Sequence, residues 1–214
     1  TTCKRLIDEF QEDDSEDHHL FLGVCSNYLC DLKVGDEVMV SGPAGKRFLL
    51  PTSTSNHDYV FVATGTGIAP FRGMTMELLE HPDGPSTREI HLVVGVPYGT
   101  DLMYDDWFTE MAKIHPNFHY HTVISRPEIG PRRYVDQYIV DTVDPFHRVL
   151  AGEDTLLYIC GIEGMQVGIF RLLQTLGVAG SYLQLPDDGL DLNDADAATI
   201  KRLKPGGRCM VEVY

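Results

Sequence analysis

The chain has 214 residues, 43% of them hydrophobic, which is enough to bury one large core or two modest ones and excludes a disordered tail. Its 32 Asp and Glu against 17 Lys and Arg give a formal charge of −15, a balance that repels duplex nucleic acid and anionic membrane surfaces. No apolar run approaches the roughly 18 residues of a bilayer span and no basic stretch precedes a short apolar one, so the chain reads as a soluble protein without a transmembrane segment.

In chain order, "TTCKRLIDEF" reads as a strand already under way at Thr1, which points to sequence before it, and the acidic "EDDSED" reads as a solvated hairpin tip. "VCSNYLCDL" is a short helix with Ser26 or Asn27 as its cap. "DEVMVSGPAG", turning at Gly42-Pro43, and "KRFLLP" are further strands. This β-rich piece runs to residue 55. From residue 56 onward strand and helix alternate: "YVFVA" and "APFRGMTMELLE", "REIHLVVGV" and "YDDWFTEMAKI", "FHYHTVIS" and "RRYVDQYIVDTV", "TLLYICG" and "EGMQVGIFRLLQTLG". "DADAATIKRL" and "GRCMVEVY" add a helix and a last strand. Such alternation calls for an α/β fold, a doubly wound parallel sheet covered by helices on both faces.

Five cysteines without a Cys-x-x-Cys pair indicate reduced thiols in a reducing compartment. Cys25 and Cys30 are spaced like one corner of a plant-type iron–sulfur site, but Lys33 stands where a third ligand is needed. His119 and His121 share one face of a strand, an arrangement that suits a metal. With no acidic or Cys partner at ligand spacing, they read as polar strand residues and no metal site is expected.

The loop in "YVFVATGTGIAPFRGM" joins a strand to a helix start, where backbone N–H groups favour an anion. Gly65 and Gly67 permit close approach, and Pro70 fits the first helical turn. The loop lacks the third glycine of the ordinary dinucleotide fingerprint, so spacing alone leaves a phosphate site and a tight structural turn both open.

"GVCSNYLCDL", "GTGIAPFR", "ISR" followed by "RRY", "YICGIEGM" and the terminal "VEVY" occur in the order found in plant-type ferredoxin–NADP reductases, and the chain resembles that family from Thr2 to Tyr214. The likeness is loose over "YLQLPDDGLDLNDADAATIKRL". It implies that residues 1–55 are the remnant of an antiparallel flavin-binding β-barrel and residues 56–214 an NADP-binding α/β domain. The implied activity carries electrons from ferredoxin or flavodoxin through FAD, as hydride, to NADP⁺. A flavin-free NADP(H)-binding module and the reductase component of an oxygenase are the alternative readings. The implied location is the cytoplasm, or the plastid stroma in a photosynthetic eukaryote.

By the same resemblance, Gly23, Val24, Cys25 and Ser26 hold the flavin diphosphate, and Lys4 lies near the nucleotide phosphates. Thr66 and Gly67 lie beneath the nicotinamide end of NADP. Ser125 and Arg126 take the 2′-phosphate, and Arg132 and Tyr134 complete that pocket. Gly161 and Met165, in "YICGIEGM", belong to the cofactor-binding set. Cys160, Glu212 and Tyr214 form the catalytic group: Cys160 places the reactive carbon of the nicotinamide, Glu212 is the carboxylate near the reactive flavin edge, and Tyr214 stacks on the isoalloxazine. Three features depart from the family. Its flavin-holding Arg-x-Tyr-Ser signature belongs to a strand that would precede Thr1. Asp8 and Asp136 replace an aromatic and a Gln that commonly contact the two adenosines. The chain is acidic where the family meets acidic donors with basic patches, of which Lys33, Lys46 and Arg47 are a thin remnant.

Overall fold

The computed structural model describes residues 24–42, 48–82, 84–186 and 189–214. The expectations placed on Lys4, Asp8, Gly23, Lys46, Arg47, the first strand, the acidic tip and Pro43 lie outside the described residues. The chain divides into two compact units, residues 1–44 and 45–214.

In the first unit, helix α1 spans Val24–Asp31. Ser26 and Asn27 are therefore third and fourth in the helix and not its cap, a correction of about one turn at an end where local sequence resolves poorly. A turn follows, closed by Asp36 N–H to the Lys33 carbonyl at 3.0 Å and Lys33 N–H to Asp36 Oδ2 at 2.8 Å. The expected strand in "DEVMVSG" is not formed among the described residues: 36–42 enters no ladder, and Val38, Met39 and Val40 are exposed. An alternating pattern makes a strand only when a neighbour accepts its backbone groups.

The second unit is built on a five-stranded parallel sheet in the order β3-β2-β1-β4-β7, with β1 Asp58–Thr64, β2 Ile90–Val96, β3 Phe118–Ile124, β4 Thr155–Gly161 and β7 Cys209–Val213. Helices α2 Ala69–Leu79, α3 Asp105–Ile114, α4 Val135–Asp141, α5 Val143–Leu150 and α6 Glu163–Thr175 connect them. A four-residue helix α7, Ala179–Tyr182, leads into a small antiparallel pair, β5 Leu183–Gln184 with β6 Lys204–Pro205. Helix α8, Ala197–Lys201, starts at Asp196, whose side chain accepts the Thr199 N–H at 2.8 Å.

β2 and β4 are buried at every position, as predominantly apolar strands between two helical layers should be. Alternate residues feed two cores. Tyr59, Phe61 and Ala63 of β1 face one way with Phe71, Leu78 and Phe108, while Val60 and Val62 face the other with Ile139, Phe146, Ile169 and Phe170. Phe48 and Leu50 pack on the first of these layers, and the Tyr158 hydroxyl donates to the Leu49 carbonyl at 2.8 Å. Residues 48–50 are thus held by side-chain packing, with Phe48 and Leu49 in a bend and not in the strand expected.

The helix expected over "RRYVDQYIVDTV" forms as α4, and a further helix, α5, which the sequence reading does not anticipate, follows it directly. The backbone breaks at Thr142 and restarts at Val143, which leaves Pro145 in the first turn of α5. A single continuous helix would set the proline ring against the carbonyl four residues back.

On the face of the valine layer, β2 carries the buried His91 and β3 carries His119 and His121. Burial first, then neighbouring imidazoles, pushes His91 down to about 3 and His121 to about 4. Both are neutral at pH 7.

Candidate functional site

The strand order reverses between β1 and β4, and the crevice beyond their carboxyl ends is where doubly wound sheets bind ligands. β1 ends at Thr64 and passes through a 3₁₀ turn, Gly65–Ile68, into α2, with Pro70 in its first turn. β4 ends at Gly161 and passes through Ile162 into α6. The two ends interlock. A Cβ on Gly67 would collide with the Cys160 carbonyl, and one on Gly161, at φ +145°, would collide with Thr64 Oγ1. The Ile162 N–H donates to Thr64 Oγ1 at 3.0 Å. Gly67 is buried, so its lack of a side chain serves strand-end packing, while Gly65 at φ +52° has open space beside it.

Beside this junction lies a cavity of about 560 Å³, within the range of small-molecule sites. Its walls come from Thr64 and Gly65 at the end of β1, Gly95 to Pro97 at the end of β2, Val123 and Ser125 around β3, Arg133 to Asp136 at the start of α4, and several residues between Ile162 and Arg171 along α6. Tyr214 closes one side. Met165 forms buried apolar lining, and nothing stands within 4 Å of a Cβ on Gly164, which leaves the first turn of α6 open for close approach.

Tyr214 is 65% exposed yet held at both ends. Its N–H donates to the Gly161 carbonyl at 3.0 Å, its carbonyl accepts the Glu163 N–H at 3.3 Å, and its hydroxyl lies 2.7 Å from Thr66 Oγ1. Thr66 is itself exposed.

At the far side, Ser125 extends the β3 edge: its N–H and its hydroxyl both donate to the Val96 carbonyl, at 2.8 and 3.3 Å. Arg126 donates its N–H to the Pro97 carbonyl at 2.9 Å and sets its guanidinium 5.9 Å from the Tyr98 ring centre. A hydrogen bond to Tyr98 raises the Arg126 pKa, so the charge is permanent. Tyr134 is half exposed on the cavity wall, with its N–H on Gln137 Oε1 at 3.1 Å. Of the two adjacent arginines it is Arg133, not Arg132, that lines the cavity, with its guanidinium 3.1 Å from Asp141 Oδ2. Asp136 lies in the wall, with its carboxylate in the space a Gly168 side chain would fill. Thr64, Arg133, Gly164 and Gly168 were not singled out from sequence. The signal for Thr64 was its place at the strand end, but nothing in "RRY" says which arginine faces inward.

Cys160 and Glu212 are register partners across β4 and β7 and do not line this cavity. Cys160 is 9% exposed on the aromatic layer, and burial, followed by the Glu212 charge, raises its thiol pKa. Glu212 is exposed. In the first unit, Val24, Cys25 and Ser26 are the opening residues of α1, whose N–H groups have no acceptor within the helix. Val24 is 90% exposed and Cys25 is exposed, so this turn is accessible to an anion.

Residues 61–169, about half of the chain, match the family described as "Oxidoreductase NAD-binding domain". The chain belongs to that family, on its plant-type ferredoxin–NADP reductase branch. It is 36% identical over 202 residues to the cyanelle ferredoxin–NADP reductase of Cyanophora paradoxa, covering 92% of this chain and 52% of that protein. It is 34% identical over 217 residues to the chloroplastic leaf isozyme 1 of Arabidopsis thaliana, covering 99% of this chain and 55% of that one. The chain thus spans about half the length of the curated relatives it matches. Among solved structures, the ferredoxin–NADP⁺ reductase of Plasmodium falciparum superposes with a TM-score of 0.66 at 25% identity, covering 90% of this chain and 66% of that one. The same enzyme with 2′P-AMP gives 0.67 at 23% identity, a likeness of fold, over 90% and 66% of the two chains.

Proposed function

We propose that the chain is the NADP-binding part of a ferredoxin–NADP reductase and that it passes electrons from a one-electron carrier, ferredoxin or flavodoxin, through FAD to NADP⁺. The observation that carries this reading is Tyr214: its ring is pinned at the mouth of a nucleotide-sized cavity, against Thr66 and the Gly161–Glu163 turn.

The residues present fit NADP. The cavity is large enough for one nucleotide half, Tyr134 offers an exposed ring for adenine, and Ser125 lines the wall with the exposed Arg126 next to it in sequence for a 2′-phosphate. Glycines 65 and 164 let a diphosphate approach the helix starts. For FAD, the open first turn of α1 in the first unit suits a diphosphate, with Val24, Cys25 and Ser26 as its holders. Separately, in the second unit, Tyr214 and Glu212 are the groups that would meet a flavin ring. FAD, when bound, supplies the conversion of single electrons into a hydride pair. The chain's own contribution is positional. Cys160, protonated and walled by the aromatic layer, gives the nicotinamide a firm edge without competing as a nucleophile. Tyr214 occupies the place the nicotinamide needs and must yield it, keeping water out until then. Glu212 stands next to that place as a carboxylate. Action in the plastid stroma agrees with the chloroplast and cyanelle labels of the relatives, and among the described residues no helix is long and apolar enough to cross a membrane.

Calorimetric titration of the chain with NADP⁺ and NAD⁺ tests the nucleotide half of this reading, and the visible absorbance of the purified protein tests retention of flavin. Saturable binding with a preference for NADP⁺ is expected. Equal affinity for the two nucleotides, or binding of neither, would overturn it.

A further inference from the structure

At the amino ends of β2 and β3, away from the nucleotide cavity, the sheet register assembles a second group of side chains. His91 and His119 are direct partners across the two parallel strands, so their side chains rise from the same face. Glu89, two residues before His91, projects to that face as well. His119 Nε2 lies 2.8 Å from Glu89 Oε2, and His91 Nε2 lies 3.8 Å from the same oxygen. The three donor atoms fall within 4.8 Å of one another. Around a tetrahedral ion with bonds of about 2.0–2.1 Å, donor atoms sit about 3.3 Å apart, so these spacings bracket what such an ion requires.

The surroundings separate this group from an ordinary surface ion pair. His91 is 2% exposed, and neither of its ring nitrogens has a hydrogen-bond partner. A buried imidazole with both nitrogens unsatisfied is costly unless something completes it. Its ring stacks on His119 with centres 4.5 Å apart and backs onto Phe146 at 5.1 Å. His121 lies parallel to it at 5.7 Å, with Nδ1 anchored 3.0 Å from the Tyr138 hydroxyl. His91 therefore has a dry, fixed back wall, while Glu89 and His119 are half exposed and have room to adjust around an ion entering from solvent. Arg148 is the opposing charge felt at His91, set against the strongly acidic chain as a whole.

We propose that Glu89, His91 and His119 form a binding site for a divalent transition-metal ion of the zinc class, with its fourth position open to water. Two imidazoles and one carboxylate select such an ion over calcium or magnesium, which prefer all-oxygen shells. From His91 to the end of β2 at Val96 is five residues, about 16 Å at strand rise. The ion would brace the β2–β3 edge without touching bound nucleotide. The sequence shows His119 and His121 on one strand without an acidic neighbour; register across strands supplies Glu89 and His91.

The test uses the chelator-treated 214-residue chain, titrated with Zn(II) by calorimetry and with Co(II) as a spectroscopic probe. One equivalent of tight binding is expected, with visible Co(II) bands of the intensity of a four-coordinate site. His119→Ala, at a half-exposed position, and Glu89→Gln are each expected to weaken Zn(II) binding about tenfold or more. NADP⁺ affinity in these variants serves as the check that the sheet is intact. Absence of saturable binding at millimolar Zn(II), or one equivalent bound equally well by His119→Ala, would overturn the proposal, the latter by placing the ion elsewhere.

Discussion

At the end of β4, Cys160 combines burial with a neighbouring carboxylate, and both favour the protonated thiol. Iodoacetamide at pH 8 should therefore label the exposed Cys25 well before Cys160, as peptide mass spectrometry would read; equal rates would contradict a buried, protonated Cys160. For the flavin-loaded enzyme, Cys160→Ser is expected to bind NADP⁺ as before while slowing hydride transfer, measured by single-turnover kinetics. Arg126 acts at the opposite end of the nucleotide. Its side chain is exposed beside Tyr98, where a 2′-phosphate would gain a charge-assisted bond. Arg126→Ala should lower the preference for NADP⁺ over NAD⁺ by about tenfold in calorimetry, leaving NAD⁺ affinity unchanged.

The turn between β1 and α2 contains two glycines with different duties. Gly67 sits against the Cys160 carbonyl and the Gly161 nitrogen, so an added methyl has to push two strand ends apart. Gly67→Ala is expected to cost about 1–3 kcal/mol, the range for overpacking a close contact, and to disturb Cys160 as well. Gly65 faces open space and has only its φ of +52° to lose, so Gly65→Ala should cost about 1 kcal/mol from backbone strain alone. Thermal unfolding of the two variants side by side checks the order, and a Gly65 variant the less stable of the pair would contradict the interlocked reading of this junction.

For the molecule as a whole, a ligand that binds only the folded state raises the unfolding temperature. At a hundredfold excess over its dissociation constant NADP⁺ should add about 2.7 kcal/mol, and at this size a rise of roughly 5 °C or more is expected, with less from NAD⁺ at equal concentration. Tyr214 links nucleotide and flavin. Its ring is held by Thr66 and its backbone by the start of α6, so moving it aside costs contacts that an incoming nicotinamide must replace. In a flavin-loaded enzyme, Tyr214→Ser should tighten NADP⁺ binding by about two- to tenfold, the value of an aromatic stacking contact. In the chain without flavin the same substitution should leave affinity nearly unchanged, and titration of both forms with and without FAD separates a flavin lid from a packing residue.

Strand and helix alternation from Tyr59 onward was legible because β1, β2 and β4 are buried on both faces and therefore read as mainly apolar runs. The motif order also pointed to the family, and the glycine-rich turn after β1 to the crevice, since local chain geometry requires glycine at Gly65. The end of α4 near Thr142 was legible too, since Pro145 cannot continue a helix from it. Other features belong to the tertiary structure alone. Periodicity sorts residues onto faces of one element, but it cannot say which of Arg132 and Arg133 turns into the cavity, nor that Gly67 meets a carbonyl 93 residues further along the chain. The same holds for His91, Glu89 and His119: their meeting depends on how β2 and β3 are registered. That register is set by long-range packing of both cores, where a slip of one residue would turn every side chain of the strand to the opposite face.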